Sequence, residues 1–169
     1  LNKKDLTASI VNSHDIRGSI EIPHSFFYQS QEYTITVLDS NSFGSQKSIT
    51  LVTFAKDSEL NRIEEKSFTN SSLEGICIPS NVNFIGDRTF SWCNELFSIE
   101  FSSNSKLESI GIDAFSFTSI ESIIIPPSVK EIGERAFRNC KNLKTIEFSA
   151  NSKLHSISKE MFSNSFLEN

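Results

Sequence analysis

The chain has 169 residues and a formal net charge of −5, so it can fold as one domain around a sizeable core. It has no basic stripe to neutralise phosphates, and no apolar run approaches the ~20 residues that cross a bilayer. We therefore expect neither a nucleic-acid partner nor membrane insertion within this chain. The 15 Phe residues against 2 Tyr and 1 Trp indicate a dry interior.

Residues 1–34 are predicted to form an N-terminal β cap or hairpin region. The segments "TASIV" and "GSIEIP" are typical of strands, and "HSFFYQSQEYTITVL" adds further residues before a regular pattern begins. We interpret this region as a cap because the pattern that follows predicts a solenoid, and the open end of a solenoid core must be covered.

Residues 35–169 repeat at intervals that alternate between 25 and 22 residues, which sum to the 47 residues between "IEFSSNSKL" and "IEFSANSKL". Each unit has a Phe, an aliphatic residue five positions before it, and a second aliphatic residue three positions earlier. A pair of apolar residues spaced by two follows in all but the last unit. The repeated aromatic residues are Phe43, Phe68, Phe90, Phe115, Phe137 and Phe162. The period predicts about five to six leucine-rich repeats, the last of them incomplete.

The two apolar residues spaced by two lie on one face of a strand and are expected to point inward. Stacked units are then expected to form an α/β repeat solenoid, a leucine-rich-repeat horseshoe with a parallel sheet on its concave face. Segments such as "DRTF" and "ERAF" are predicted to form short helical or 3-10 turns on the convex face. Gly86, Gly111 and Gly133 precede these segments, where a tight turn favours a residue without Cβ.

Equivalent positions of neighbouring units are expected to lie side by side. Arg88, Asp113, Arg135 and Glu160 alternate in sign, which predicts a solvated ladder of opposite charges. Two units separate Cys93 from Cys140, so their Cα atoms would be ~9–10 Å apart, beyond the ~7 Å reach of a disulfide. We expect all three cysteines to be free thiols.

The segment "IPPSVKEIGERAFRNCKNLKTI" is similar to the BspA-like leucine-rich repeats, also called the Treponema pallidum type. The residues that match the repeat signature are Ile125, Pro126, Ser128, Val129, Ile132, Gly133, Ala136, Phe137, Cys140, Leu143 and Ile146. The resemblance covers about residues 15–169, and the alternation with "FS-NSKL" is most similar to members from trichomonad protists. It implies a non-enzymatic protein of surface adhesion that binds host matrix proteins or other cells, and it carries over no catalytic residue or cofactor.

No residue pattern indicates catalysis. His14, His24 and His155 have no metal-binding or nucleophile–base spacing, and the chain has no Gly-rich phosphate loop. We therefore predict that the protein is not an enzyme, and that it has no cofactor or metal.

A binding surface is easier to place, because residues between the inward pairs point out from the predicted sheet. The candidate face is small, hydroxyl-bearing and mildly acidic, and a solvated sheet face without a ligand is the alternative interpretation. The candidate residues are Thr53, Cys77, Ser98, Glu100, Ser122, Ile124, Thr145 and Glu147. The triplet Asn70-Ser71-Ser72 is a candidate N-glycosylation site.

Two functions are therefore compared. The first is a cell-surface or secreted adhesion module that binds a protein or glycan ligand. The second is a cytoplasmic scaffold whose repeat stack packs against partners such as cytoskeletal assemblies, which free thiols favour. In the second hypothesis a neighbour covers the apolar edge that we expect at the C-terminal unit.

Overall fold

The computed structural model describes residues 1, 2, 4, 6–10 and 17–168. These residues form thirteen strands and no helix. The strands are β1 (Thr7–Ile10), β2 (Gly18–Ile22), β3 (Ser25–Tyr28), β4 (Gln31–Leu38), β5 (Ile49–Phe54), β6 (Arg62–Ile63), β7 (Gly75–Ile78), β8 (Phe84–Ile85), β9 (Ser98–Phe101), β10 (Ser109–Ile110), β11 (Ser122–Ile125), β12 (Glu131–Ile132) and β13 (Thr145–Phe148).

The strands stack into a parallel β-solenoid of about six turns, which confirms the predicted leucine-rich-repeat architecture. One wall consists of the four-stranded sheet β2-β5-β7-β9 and the two-stranded sheet β11-β13, with β9 and β11 as neighbours. A second parallel sheet, which the sequence analysis did not predict, runs in the order β1-β4-β6-β8-β10-β12. Each turn of the chain therefore contributes one strand to each wall.

The inward residues form one continuous core between these walls. In β7 and β11 the apolar pair is buried and the residue between its members is exposed, as the alternation of a strand requires. Five of the six aliphatic residues that stand five positions before a repeated Phe end strands of the second sheet and are also buried. These five are Leu38, Ile63, Ile85, Ile110 and Ile132, whereas the sixth, Ile157, is exposed.

The repeated phenylalanines form an uninterrupted stack along the solenoid. Ring centroids from Phe43 to Phe137 are 5.1–5.3 Å apart, and neighbouring rings are within 4–7° of parallel. Phe162 continues the stack at 5.8 Å and is only half-buried. Near-parallel packing at these centroid distances is favourable for aromatic rings, so the stack adds to the free energy gained from burial.

The prediction of helical or 3-10 turns on the convex face is wrong for the described residues. Alternate N–H groups donate to the next coil instead: those of Arg88, Phe90 and Trp92 reach carbonyl oxygens one coil further along at 2.8–2.9 Å. Arg88 and Trp92 also adopt left-handed backbone conformations, with φ of 53° and 63°. A helix needs successive N–H groups to bond within the same segment, so the bonds between coils leave only isolated turns.

The glycines that precede these turns are required by the closeness of the neighbouring coil. A Cβ placed on Gly111 would lie 2.5 Å from the backbone nitrogen of Asp87, and one on Gly133 would lie 2.5 Å from the nitrogen of Ile112. Neither glycine has a positive φ. The tight-turn reason given for them is therefore wrong, because the missing Cβ serves contact between coils.

The predicted charge ladder is present from Arg88 to Arg135, whereas Glu160 forms no ion pair with Arg135 within 4.0 Å. Asp113 accepts two hydrogen bonds from the Arg135 guanidinium, at 3.1 and 3.2 Å. On the other side, Arg88 Nε lies 3.9 Å from the same carboxylate. The hydrogen bonds that Arg135 donates to Asp113 raise the pKa of Arg135 above its usual value, and the negative charge of Asp113 acts in the same direction.

The region before residue 35 contains more regular structure than a simple cap. β1 pairs in parallel with β4, and β2 pairs in parallel with β5, so both walls begin within this region. β3 and β4 form an antiparallel hairpin, through which β3 joins the second sheet. Residues 11–16, including His14, lie outside the described residues.

Candidate ligand-binding face

The outward side of the first wall is termed the strand face. Its central row has one residue from each strand in parallel register, with Glu21 beside Thr53, Cys77 beside Glu100, and Ile124 beside Glu147. All of these side chains are exposed. Ser98, Ser122 and Thr145 stand two positions earlier in their strands, and only Ser98 is half-buried. The structure thus brings the candidate residues onto one surface.

Loops of alternating length divide one edge of the strand face into clefts. The long loops after β5 and β9 form the walls of cleft A, and the short loop after β7 forms its floor. The cleft has a volume of about 550 Å³. Its lining includes Leu51, Thr53, Lys56, Cys77, Pro79, Ser80, Glu100 and Ser102.

Cleft B repeats this construction two coils further along. The long loop after β9 is shared as a wall, the loop after β13 is the opposite wall, and the short loop after β11 is the floor. Its volume is about 520 Å³, close to that of cleft A. Its lining includes Phe97, Ser98, Glu100, Ser102, Ser103, Ile124, Pro126, Pro127 and Ser149.

The long loops are held by the same hydrogen bonds in each repeat. In the loop after β5, Ser58 N–H donates to the Ala55 carbonyl at 3.0 Å. The equivalent bond from Ser105 N–H to the Ser102 carbonyl is 2.9 Å. Lys106 N–H then donates to the Ser80 carbonyl at 2.8 Å, which ties a long loop to its short neighbour. The walls of both clefts are therefore built by the fold itself, before any ligand binds.

The face is apolar at the cleft floors and negatively charged between them. Ile124 is 64% exposed in cleft B, where it stands beside two prolines of the short loop. Among the described residues, neither Glu100 nor Glu147 has an ion-pair partner within 4.0 Å. The Thr53 hydroxyl donates to the Ile20 carbonyl at 3.3 Å. These two carboxylates and that of Glu21 are thus the charged groups of the central row that remain available to a ligand.

The three cysteines divide into one surface thiol and two buried ones. Cys77 is exposed on the strand face, and all three are free. The thiols of Cys93 and Cys140 donate to the carbonyls of Phe68 and Phe115 at 2.9 and 3.0 Å. Burial raises the pKa of both thiols above the ordinary value of 9.0, although hydrogen bonds from Ser71 and Thr118 act in the opposite direction. The buried pair is therefore structural and unreactive at neutral pH.

Sequence reasoning missed one residue of this surface, Glu21, and one pair of aromatic residues in the turn segments. Glu21 joins the central row through β2, and the signal for it was the strand-like "GSIEIP" segment. This pair lies in the turn segments that follow the second sheet, where the rings of Trp92 and Phe117 stack with their centroids 3.9 Å apart. Both hold left-handed conformations at a position that the equivalent units fill with Ser or Asn, namely Ser45, Asn70, Asn139 and Asn164.

The remaining predicted features lie elsewhere. Asn70 is exposed, and its side-chain oxygen accepts a hydrogen bond from Lys47 at 2.9 Å. His24 Nδ1 lies 2.9 Å from the Asp57 carbonyl, and His155 is exposed. Within residues 1, 2, 4, 6–10 and 17–168, no three His, Cys, Asp or Glu side chains are grouped to hold a metal ion. The same residues contain no helix of the length and apolarity needed to cross a membrane.

Comparison with known proteins agrees with this geometry. A family model described as BspA type leucine rich repeat region matches in six copies, over residues 19–144 and 61–169. A comparison with curated proteins gives no match.

Several solved structures are similar to this chain. The leucine-rich repeat protein of T. pallidum superposes with a TM-score of 0.76 at 24% identity, over 86% of this chain and 65% of that one. A leucine-rich repeat protein from Bacteroides ovatus gives 0.75 at 28%, over 91% and 43%. The pneumococcal vaccine antigen PcpA gives 0.68 at 27%, over 85% and 43%. The chain spans less than two thirds of the length of each of these proteins, which are bacterial.

Proposed function

We propose, from the premise that this chain belongs to the BspA-type leucine-rich repeat family, that it is a non-enzymatic recognition module. It is displayed at the cell surface or secreted, and its strand face binds a protein or glycan ligand. The observation that carries this proposal is the pair of preformed clefts beside unneutralised carboxylates. Similarity to a protein described as a vaccine antigen supports exposure outside the cell.

The strand face is the proposed contact surface because it combines exposure with fixed shape. Its backbone belongs to parallel sheets, so the spacing of its residues along the face is set by the fold. Apolar cleft floors can bury ligand surface while the two carboxylates select for positive charge. No catalytic group is required by this function, and no catalytic activity is proposed.

Charge reversal on the strand face tests the proposal. The double variant Glu100→Lys/Glu147→Lys is expected to abolish binding to the native ligand or to host cells. The matched control is Glu95→Lys/Glu131→Lys, which changes net charge equally at exposed positions outside the cleft linings. Unchanged binding by the first variant, or an equal loss in both, would remove the strand face from the proposal.

The location is tested with a membrane-impermeant biotin reagent on intact cells. Strong labelling of the protein is expected, and a loss of mass on glycosidase treatment would place a sugar at Asn70. Asn70 is exposed, so attachment would not require the fold to open.

A second candidate function is an intracellular scaffold that packs against partners such as cytoskeletal assemblies. Free thiols favour it, because proteins of the reducing cytoplasm keep their cysteines unpaired. Labelling only after cell lysis would favour this candidate. Co-sedimentation with a filament fraction would then be the next measurement.

A further inference from the structure

Clefts A and B have the same construction at a fixed offset of 47 residues. Adding 47 to Thr53, Cys77 or Pro79 of cleft A gives Glu100, Ile124 or Pro126 of cleft B. The two clefts are thus successive copies of one site, and a ligand that fits one is presented with the next at a defined distance.

That distance is set by the fold. The floors lie on β7 and β11, which are separated by one intervening strand, β9. At ~4.8 Å for each step between neighbouring strands, the two floors are about 9.6 Å apart. Glu100 on β9 and Glu147 on β13 are also two steps apart, so apolar and acidic positions alternate with the same repeat.

A polyproline II helix has a matching repeat. It has three residues per turn and rises ~3.1 Å per residue, so every third side chain returns to the same side after about 9.3 Å. A β-strand returns to the same side every ~6.7 Å, which misses the second cleft. An α-helix places i and i+7 on one side at ~10.5 Å, and its ~10 Å diameter is wide for clefts of this volume.

We propose that the strand face binds a polyproline II peptide with a basic residue in each triplet, lying across the strands. Successive apolar residues, spaced by three, enter clefts A and B, and the basic residues reach Glu100 and Glu147. This inference deepens the proposed function and rests on it. It selects a proline-rich, cationic peptide among the ligands that an adhesion module could bind.

The clefts differ in one charge, which makes a sharp prediction. Cleft A includes Lys56, whereas cleft B has Ser103 at the equivalent position. A basic ligand is repelled by Lys56, so the variant Lys56→Ser, which copies cleft B, is expected to bind the peptide more tightly.

The test compares two labelled peptides by fluorescence anisotropy with the whole chain. One repeats Pro-Pro-Lys and the other Pro-Pro-Pro-Lys, with the same number of lysines. We expect the three-residue repeat to bind about tenfold more tightly, because only it matches the spacing of the clefts. The difference should disappear in Glu100→Lys/Glu147→Lys and persist in Glu95→Lys/Glu131→Lys.

Equal affinity for the two peptides would overturn the inference, as would weaker binding by Lys56→Ser. Binding of an oligosaccharide, with no binding of either peptide, would also overturn it. In that case loss of native ligand binding by the double variant would still support the proposed function. The experiment thereby distinguishes an error in the proposed ligand class from an error in the proposed binding surface.

Discussion

Replacing Phe115 by Ala measures how strongly the phenylalanine stack holds the coils together. The ring is fully buried and stacks between Phe90 and Phe137 with centroids at 5.3 Å on both sides. Truncating a fully buried Phe costs roughly 3–5 kcal/mol, and loss of two ring contacts places this site near the upper end. We expect the free energy of unfolding to fall by about 4–5 kcal/mol, a large part of the ~5–15 kcal/mol typical of a domain.

Urea titration followed by far-UV circular dichroism and by the single tryptophan, Trp92, measures this change. Phe162→Ala is the matched control: its ring is half-buried with one stacked neighbour, at 5.8 Å. A loss of about 1–2 kcal/mol is expected there. Phe97→Ala removes a ring that is 55% exposed and should change stability by no more than about 0.5 kcal/mol. Equal losses for Phe115 and Phe162 would refute the reasoning from the stack.

The remaining predictions concern contacts between coils and the three thiols. Gly111→Ala should destabilise the fold by about 3 kcal/mol in urea titration, whereas Gly75→Ala, whose added Cβ has its nearest neighbour at 3.7 Å, should be nearly neutral. A thiol reagent at pH 8 should modify only Cys77 in the native protein and all three cysteines in denaturant; modification of three in the native protein would contradict the burial of the other two. Burial raises the pKa of the Cys93 and Cys140 thiols in the folded protein above the ordinary value of 9.0. Their contribution to the free energy of unfolding is therefore complete below pH 9.0 and falls as the pH rises further. Urea titrations at a series of pH values from about 8 to 10 measure this fall. Asp113→Asn should lower the melting temperature slightly, and the difference should shrink in high salt; a difference that salt leaves unchanged would argue against the ion pair with Arg135.

The sequence was sufficient to predict the solenoid because its core depends on spacing alone. The inward pairs, the aliphatic positions and the stacked Phe residues recur at fixed intervals, and apolar spacing is the signal that sequence reasoning reads most directly. The strand-face residues followed from the same alternation. Their proximity in the structure required no further information.

The turn segments and the clefts could not be predicted in the same way. A segment such as "DRTF" has the composition of a short helix, and its actual conformation is decided by hydrogen bonds to another coil. Local propensity does not contain that contact. The clefts depend on the difference between two loop lengths in three dimensions. The sequence displays this difference as alternating intervals of 22 and 25 residues, but without the stack it does not show that loops of unequal length leave a gap.

The alternation of loop lengths also defines the smallest piece by which this protein can be lengthened or shortened. Removing one coil of 22 or 25 residues would place two long or two short loops side by side, and would shift every later charge in the ladder against its neighbour. Removing or inserting 47 residues would leave the register of both walls, the sign of each facing charge and the spacing of the clefts intact. The pair of coils is thus the smallest unit that can be duplicated or deleted without disturbing these contacts. A longer protein built from such pairs would gain one cleft for each pair inserted.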